Sequence, residues 1–365
     1  MSDEARAAHS AMLVLARESR GMTQADVATA MSSLAGESVS QGYVSRAESG
    51  RLVVSGERLE LYAKALRYRS HLLCMEGQDH GIGVGLVHHR KRASLGAQAL
   101  RRIHAQLALS HLQTRALILE TGEDQSHRFR HIEVDDLNGP ADAARTLRRE
   151  WGVPAGPVAG LVQVIEEAGG LILIRDLGTR ELDAVSQWVT EEAPLFLLNR
   201  QAPMDRFRWS LAHELGHIVM HTEPGPSSVQ ERQADEFASE FLMPASIIRT
   251  ALRGEVDLNR LLSLKQQWGV SMAALARRAL SVDVISEWQY RNLMIEMSVL
   301  GYRTQEPSAI APEHPLRLRM LMTRLERDLG YTTQRVAEVI GLFPEELHSL
   351  YPTESSYVHN IREAT

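Results

Sequence analysis

The stretch Arg206-Phe207-Arg208-Trp209-Ser210-Leu211-Ala212-His213-Glu214-Leu215-Gly216-His217-Ile218-Val219-Met220-His221 decides the fold. Its apolar residues recur at helical spacing, while His213, Glu214 and His217 form the pattern His-Glu-x-x-His. Residues four apart on an α-helix share a face one turn apart, so both imidazoles reach one ion at about 2.0–2.1 Å. Glu214 projects beside them. A carboxylate there can take a proton from a metal-bound water whose pKa zinc has lowered to about 7, and then hand it to a leaving amine. These residue types at this spacing point to a metal hydrolase with one Zn2+ per chain.

The flanking sequence supplies the scaffold. Ala193 to Asn199 reads as a buried strand, and Asp205 to Ala212 opens the helix that runs through the motif. A third histidine at the position that would complete a three-His site is absent, since position 220 is Met and position 223 is Glu. After a Pro/Gly/Ser loop from Pro224 to Ser228, a second helix carries Glu231-Arg232-Gln233-Ala234-Asp235. Glu231 and Asp235 share a face, so Glu231 can bind the metal while Asp235 accepts the outer N–H of a ligand histidine. That is the gluzincin arrangement. Glu236 and Glu240 compete for the third-ligand position but lack an acidic neighbour one turn on. Met243-Pro244 ends the helix. His221, one further turn along, reads as a packed or surface histidine rather than a ligand. The alternative for the whole constellation is a charged amphipathic helix pair whose histidines are merely buried.

The run from Arg206 to His221, followed by Glu231 to Pro244 (ERQADEFASEFLMP), resembles the ImmA/IrrE family of zinc endopeptidases. That family's E-x-x-A-[ND]-x-F-A-x-x-L-L-M-P segment is matched except that Phe241 replaces the first Leu. The resemblance implies that His213, His217 and Glu231 are ligands and Glu214 the general base. It also implies restricted proteolysis, typically of a partner helix-turn-helix repressor, in a stress response or on a mobile element.

A second signal lies near the N-terminus. Leu15 to Arg20 is helical, Gly21 stops it, and a second helix opens at Thr23 with Asp26 three residues on. A third starts at Ser40 and runs through Gln41-Gly42-Tyr43-Val44-Ser45-Arg46, and Ser55 caps a fourth. This resembles an Xre/Cro-type helix-turn-helix, with a second helix extended through Met31 to Glu37. In such modules the start of the third helix enters the major groove. Gln41, Tyr43, Ser45 and Arg46 are therefore the base or phosphate contacts, with Gln24 on the backbone. Residues 1–70 hold nine Lys/Arg and eight Asp/Glu. So weak a charge makes specific contacts, or pairing of two copies as a homodimer, the source of affinity for DNA. A helical bundle that docks only protein is the competing reading.

Composition bounds the rest. The chain of 365 residues is 44% hydrophobic and 24% charged with net charge −6, so it lacks a general nucleic-acid signature. A lone Cys74, no apolar leader after Met-Ser-Asp-Glu and no long apolar span predict a cytoplasmic protein without disulfides or membrane contact. Gly81 to Gly85 lacks the spacing of a nucleotide loop, and the basic cluster from His88 to Arg92 reads as a solvated charge run. Strands are expected at 169–175, 184–189 and 195–198, with helices at 141–151 and 158–168. Val185 to Val189 is the chosen edge against which an extended substrate would add.

The expected architecture is multidomain. An all-α helix-turn-helix domain (1–73) leads through a linker and connecting helix (74–135) to an α+β gluzincin-like peptidase domain (136–250) and a helical C-terminal domain (251–365). Two functional classes fit: a DNA-binding regulator that cleaves a partner repressor or antitoxin, or a transcription regulator whose peptidase-like domain serves only as sensor or dimerisation module.

Overall fold

The computed structural model describes residues 7–75, 95–124, 126–188, 192–222 and 228–351. At the N-terminus are α1 (Ser10–Ser19), α2 (Gln24–Ala35), α3 (Gln41–Glu48), α4 (Gly56–Leu66) and the short α5 (Ser70–Leu73). The Thr23 side chain accepts from the Asp26 amide and Asp26 bonds back to the Thr23 amide, which closes a capping box on α2. Gly36, at φ 70, ends that helix after Ala35, so its extension is real but stops two residues short of Glu37. Ser40 caps α3 by accepting from the Tyr43 amide. Ser55 occupies the N-cap position of α4, but its side chain accepts no amide there; Gly56 opens the helix at φ 54.

Residues 95–124 carry α6 (Ala97–Thr121), which is far more than a connector. It buries Ile103, Leu107, Leu109 and Leu117 between α1 and the sheet. The glycine loop at 81–85 and the basic cluster at 88–92 lie outside the described residues.

After α7 (Pro140–Glu150) and α8 (Leu161–Glu167) come the strands β1 (Leu171–Arg175), β2 (Ala184–Gln187) and β3 (Leu195–Asn199). Their order is β1-β3-β2, with β3 parallel to β1 and antiparallel to β2, which leaves β2 at an edge. Because side chains alternate across a sheet, the strands feed two cores. Leu171, Leu173, Val185, Leu195 and Leu197 enter the core that contains α1 to α6. Ile172, Ala184, Phe196 and Leu198 enter a second core on the opposite face.

That second core gathers α9 (Met204–Met220), α10 (Ser228–Leu242), α11 (Ala245–Ala251), α12 (Leu258–Trp268), α13 (Met272–Ser281) and the inner face of α14 (Glu287–Val299). Helices α15 (Arg317–Arg327), α16 (Thr333–Val339) and α17 (Pro344–Leu350) return to the first core. Arg20 pairs with Glu346 at 2.7 Å, and the Arg69 amide donates to the Gly341 carbonyl at 2.9 Å. The two cores therefore cut across the expected partition: α11 to α14 pack with the sheet's motif-bearing face, whereas α15 to α17 pack with the N-terminal helices.

Leu325, on α15, is fully buried in that shared core. Leu325→Ala should lower stability by about 2–5 kcal/mol, the range for emptying a buried leucine site. Urea denaturation measures it, and a change under about 0.5 kcal/mol, the scale of surface substitutions, would contradict the packing.

Candidate metal centre

Phe207, Leu211, Leu215 and Val219 seat α9 against the sheet and its neighbours, which turns His213 and His217 toward α10 and Glu214 toward β2. Gly216 sets the separation of the two helices. A Cβ there would meet the Phe237 side chain at 3.0–3.2 Å, so glycine lets α10 come close enough to deliver Glu231 from its first turn.

Three donors converge. His213 Nε2 and His217 Nε2 lie 3.1 Å apart, and the Glu231 carboxylate oxygens stand 3.6 and 3.5 Å from them. Four ligands placed tetrahedrally at zinc bond lengths are separated by about 3.3–3.4 Å, so this spacing fits one such ion. The Glu231 oxygens are buried and, among the described residues, accept no hydrogen bond; 3.5–3.6 Å is ion-pair distance only. A buried carboxylate in that condition is costly unless a cation completes it, so the donor set suits zinc.

Around these donors, His213 Nδ1 donates to Asp235 Oδ1 at 3.0 Å. Glu236 is exposed, whereas Glu240 is buried and occupied by Arg145, Arg278 and the Ala245 amide. Neither reaches the cluster. His221 ends α9 in an extended conformation and is buried, with Nδ1 at 3.0 Å from His217 Nδ1 and Nε2 at 3.0 Å from Gln233 Oε1. Sequence reasoning read it as a packed or surface histidine and missed this link, although the 213/217/221 spacing signals a shared face. It missed Ser186 altogether. That hydroxyl, fully buried on β2, donates to Glu214 Oε2 at 2.6 Å. Only a small polar residue set on the same face as Ala184 in a buried strand hinted at it.

In the N-terminal module, Gln41 and Arg46 are exposed on α3, with Tyr43 and Ser45 half-buried. Gln41 Nε2 donates to Gln24 Oε1 at 2.7 Å, and Gln24 Nε2 donates to Glu48 Oε2 at 2.9 Å. Arg17 grips the same Glu48 carboxylate at 2.6 and 3.0 Å. The first turns of α2 and α3 are thus fixed relative to each other. They border a groove of about 820 Å³ whose far wall is the first turn of α6, with Gln98 and Arg101.

Residues 13–73 match the family model described as helix-turn-helix, and residues 165–280 match that of the IrrE N-terminal-like domain, a peptidase family. The chain carries a helix-turn-helix followed by an IrrE-like domain. No curated protein matches the chain. The IrrE-like segment runs from the end of α8 through α13 and so contains every donor of the cluster.

Burial pushes the Glu214 carboxyl in the IrrE-like domain up to about 7, against the opposing pull of His213 and Ser186. Burial alone would lower His213, but its bond to Asp235 and the Glu231 carboxylate beside it raise it to about 9. Against the upward push of burial, the two imidazoles hold Glu231 well below the usual carboxylate range. Burial lowers His221. A carboxyl group poised near neutrality beside three convergent donors can take up and release a proton at neutral pH.

These values fix a sign for the metal-free protein. His213 and Glu214 hold protons more tightly folded than unfolded, so stability falls as pH rises, from about 4.5 to 7 through Glu214 and from about 6.5 to 9 through His213. Zinc needs deprotonated ligands, so its stabilising effect grows over the same window. Melting temperature measured with a chelator should fall between pH 6 and pH 9, and the zinc-dependent increment should widen. An increment that stays flat would contradict the ligand set.

Proposed function

We propose that this protein is a DNA-binding regulator with zinc-dependent endopeptidase activity of the gluzincin type, directed at a partner helix-turn-helix repressor or antitoxin. The observation that carries the reading is the convergence of His213, His217 and Glu231, with the Glu231 oxygens otherwise unpartnered among the described residues, beside a buried Glu214. His213, His217 and Glu231 would hold one zinc, and Asp235 would orient His213. When bound, zinc supplies Lewis-acid polarisation and makes water acidic enough to attack at neutral pH. Glu214 is the general base: it takes the proton from the attacking water and passes it to the departing amine. Ser186 holds the Glu214 carboxylate from the edge strand.

An extended peptide pairing with the free side of β2 would lie next to Glu214 through main-chain hydrogen bonds, which hold a substrate without reading its sequence. Selectivity then comes from elsewhere on the chain. The helix-turn-helix, with Gln41, Tyr43, Ser45 and Arg46 toward bases or phosphates and Gln24 on the backbone, would bring the peptidase to proteins bound on the same DNA, in the cytoplasm and as part of a stress or mobile-element response. Among the described residues no helix is long and apolar enough to cross a membrane.

Glu214→Gln keeps shape and removes the base. Zinc content and fold should persist while cleavage of the partner falls at least about a hundredfold, the scale that general-base catalysis supplies. Equal cleavage by both proteins would assign the activity to a contaminant.

Arg46 tests the DNA reading. Arg46→Ala should weaken binding to the protein's own promoter by about 1–3 kcal/mol, with less effect on random duplex, if it reads a base. A mobility-shift titration at fixed salt in which wild type does not distinguish promoter from random duplex would favour a protein-docking module.

A further inference from the structure

The proposed mechanism leaves His221 without a task, yet its surroundings fix the protonation of a neighbour. His217 is fully buried and His221 nearly so, with ring centroids 5.0 Å apart. His217 directs Nε2 toward His213 and Glu231, and Nδ1 toward His221 Nδ1 at 3.0 Å. His221 Nε2 in turn reaches the Gln233 side-chain oxygen at 3.0 Å.

With both imidazoles neutral, only two proton arrangements satisfy this chain. An amide oxygen accepts and cannot donate, so if Gln233 presents oxygen, His221 carries its proton on Nε2. A neutral imidazole then has a lone pair on Nδ1, which accepts the Nδ1 proton of His217. That leaves the His217 Nε2 lone pair aimed at the donor cluster. Reversing the amide reverses every step and puts the His217 proton on Nε2, where it would face His213 and Glu231 and bar coordination. Asp235 gives the other histidine a charged acceptor; His217 instead has a neutral relay whose direction matters.

We propose that His221 and Gln233 are positioning residues that lock His217 in the tautomer whose Nε2 can bind zinc. The inference rests on the reading of His213, His217 and Glu231 as a zinc centre. Partners behind a ligand of this kind change metal affinity by about 10- to 100-fold.

The test is zinc affinity of the full-length protein, measured by competition with a chromophoric chelator, with circular dichroism confirming the fold. His221→Ala and Gln233→Leu should each weaken zinc binding by about 10- to 100-fold. Gln233→Glu, which only accepts, should bind at least as tightly as wild type, whereas Gln233→Lys, which only donates, should bind as weakly as Gln233→Leu. If His221→Ala fails to fold, the half-buried Gln233 variants carry the test. Wild-type affinity in Gln233→Leu and Gln233→Lys would overturn the relay alone. Equal weakening in Gln233→Glu and Gln233→Leu would overturn its polarity. A wild-type protein that binds no zinc would overturn the zinc centre, and the relay with it.

Discussion

All five side chains of β3 are buried, and they divide by alternation: Leu195 and Leu197 into the core of the N-terminal helices, Phe196 and Leu198 into that of the motif-bearing helix. One strand is thus a wall common to both halves. A slip of one residue in its pairing would exchange the two sets and misplace both cores at once, so the register is held from either side. Helix α6 joins the helix-turn-helix to the IrrE-like domain by packing, on α1 along one side and on the sheet along the other.

The donor cluster depends on a smaller constraint. Phe237 lies against Gly216, and the absence of a side chain on that turn of α9 is what brings the first turn of α10 within ion-pair distance of both histidines. The same approach places Asp235 on His213 and Gln233 on His221. Three residues of one helix thereby address three histidines of the other. Ser186 reaches Glu214 from the third side, so that carboxyl is held by the sheet while the donors are held by the helix pair.

What the sequence made legible follows from how local each signal is. His213, Glu214, His217, Glu231 and Asp235 sit on two helices whose periodicity is strong, and spacing alone predicts which of them share a face. Gly21, Thr23 and Ser40 mark helix ends through chemistry confined to a few residues, and the structure uses all three. Ser55 misled because its position matched a cap while the left-handed Gly56 after it governs how α4 begins. Ser186 and Gln233 were beyond reach: each acts on a residue of another element, and no periodicity encodes which elements meet. The return of α15 to α17 to the first core was hidden for the same reason, since their apolar faces are alike whichever surface they cover.

That return has a consequence for synthesis. Residues that complete the first core are separated by the greater part of the chain, from Met12 and Leu66 to Leu325, Ile340 and Leu347. A ribosome adding about 5–20 residues per second needs tens of seconds between the end of α5 and the end of α17. From the completion of α6 onward, its apolar surface that awaits α15 and α16 remains open to water, chaperones and other nascent chains. Truncated translation products of this protein therefore expose a sticky helical face, whereas an intact chain hides it with its final helices.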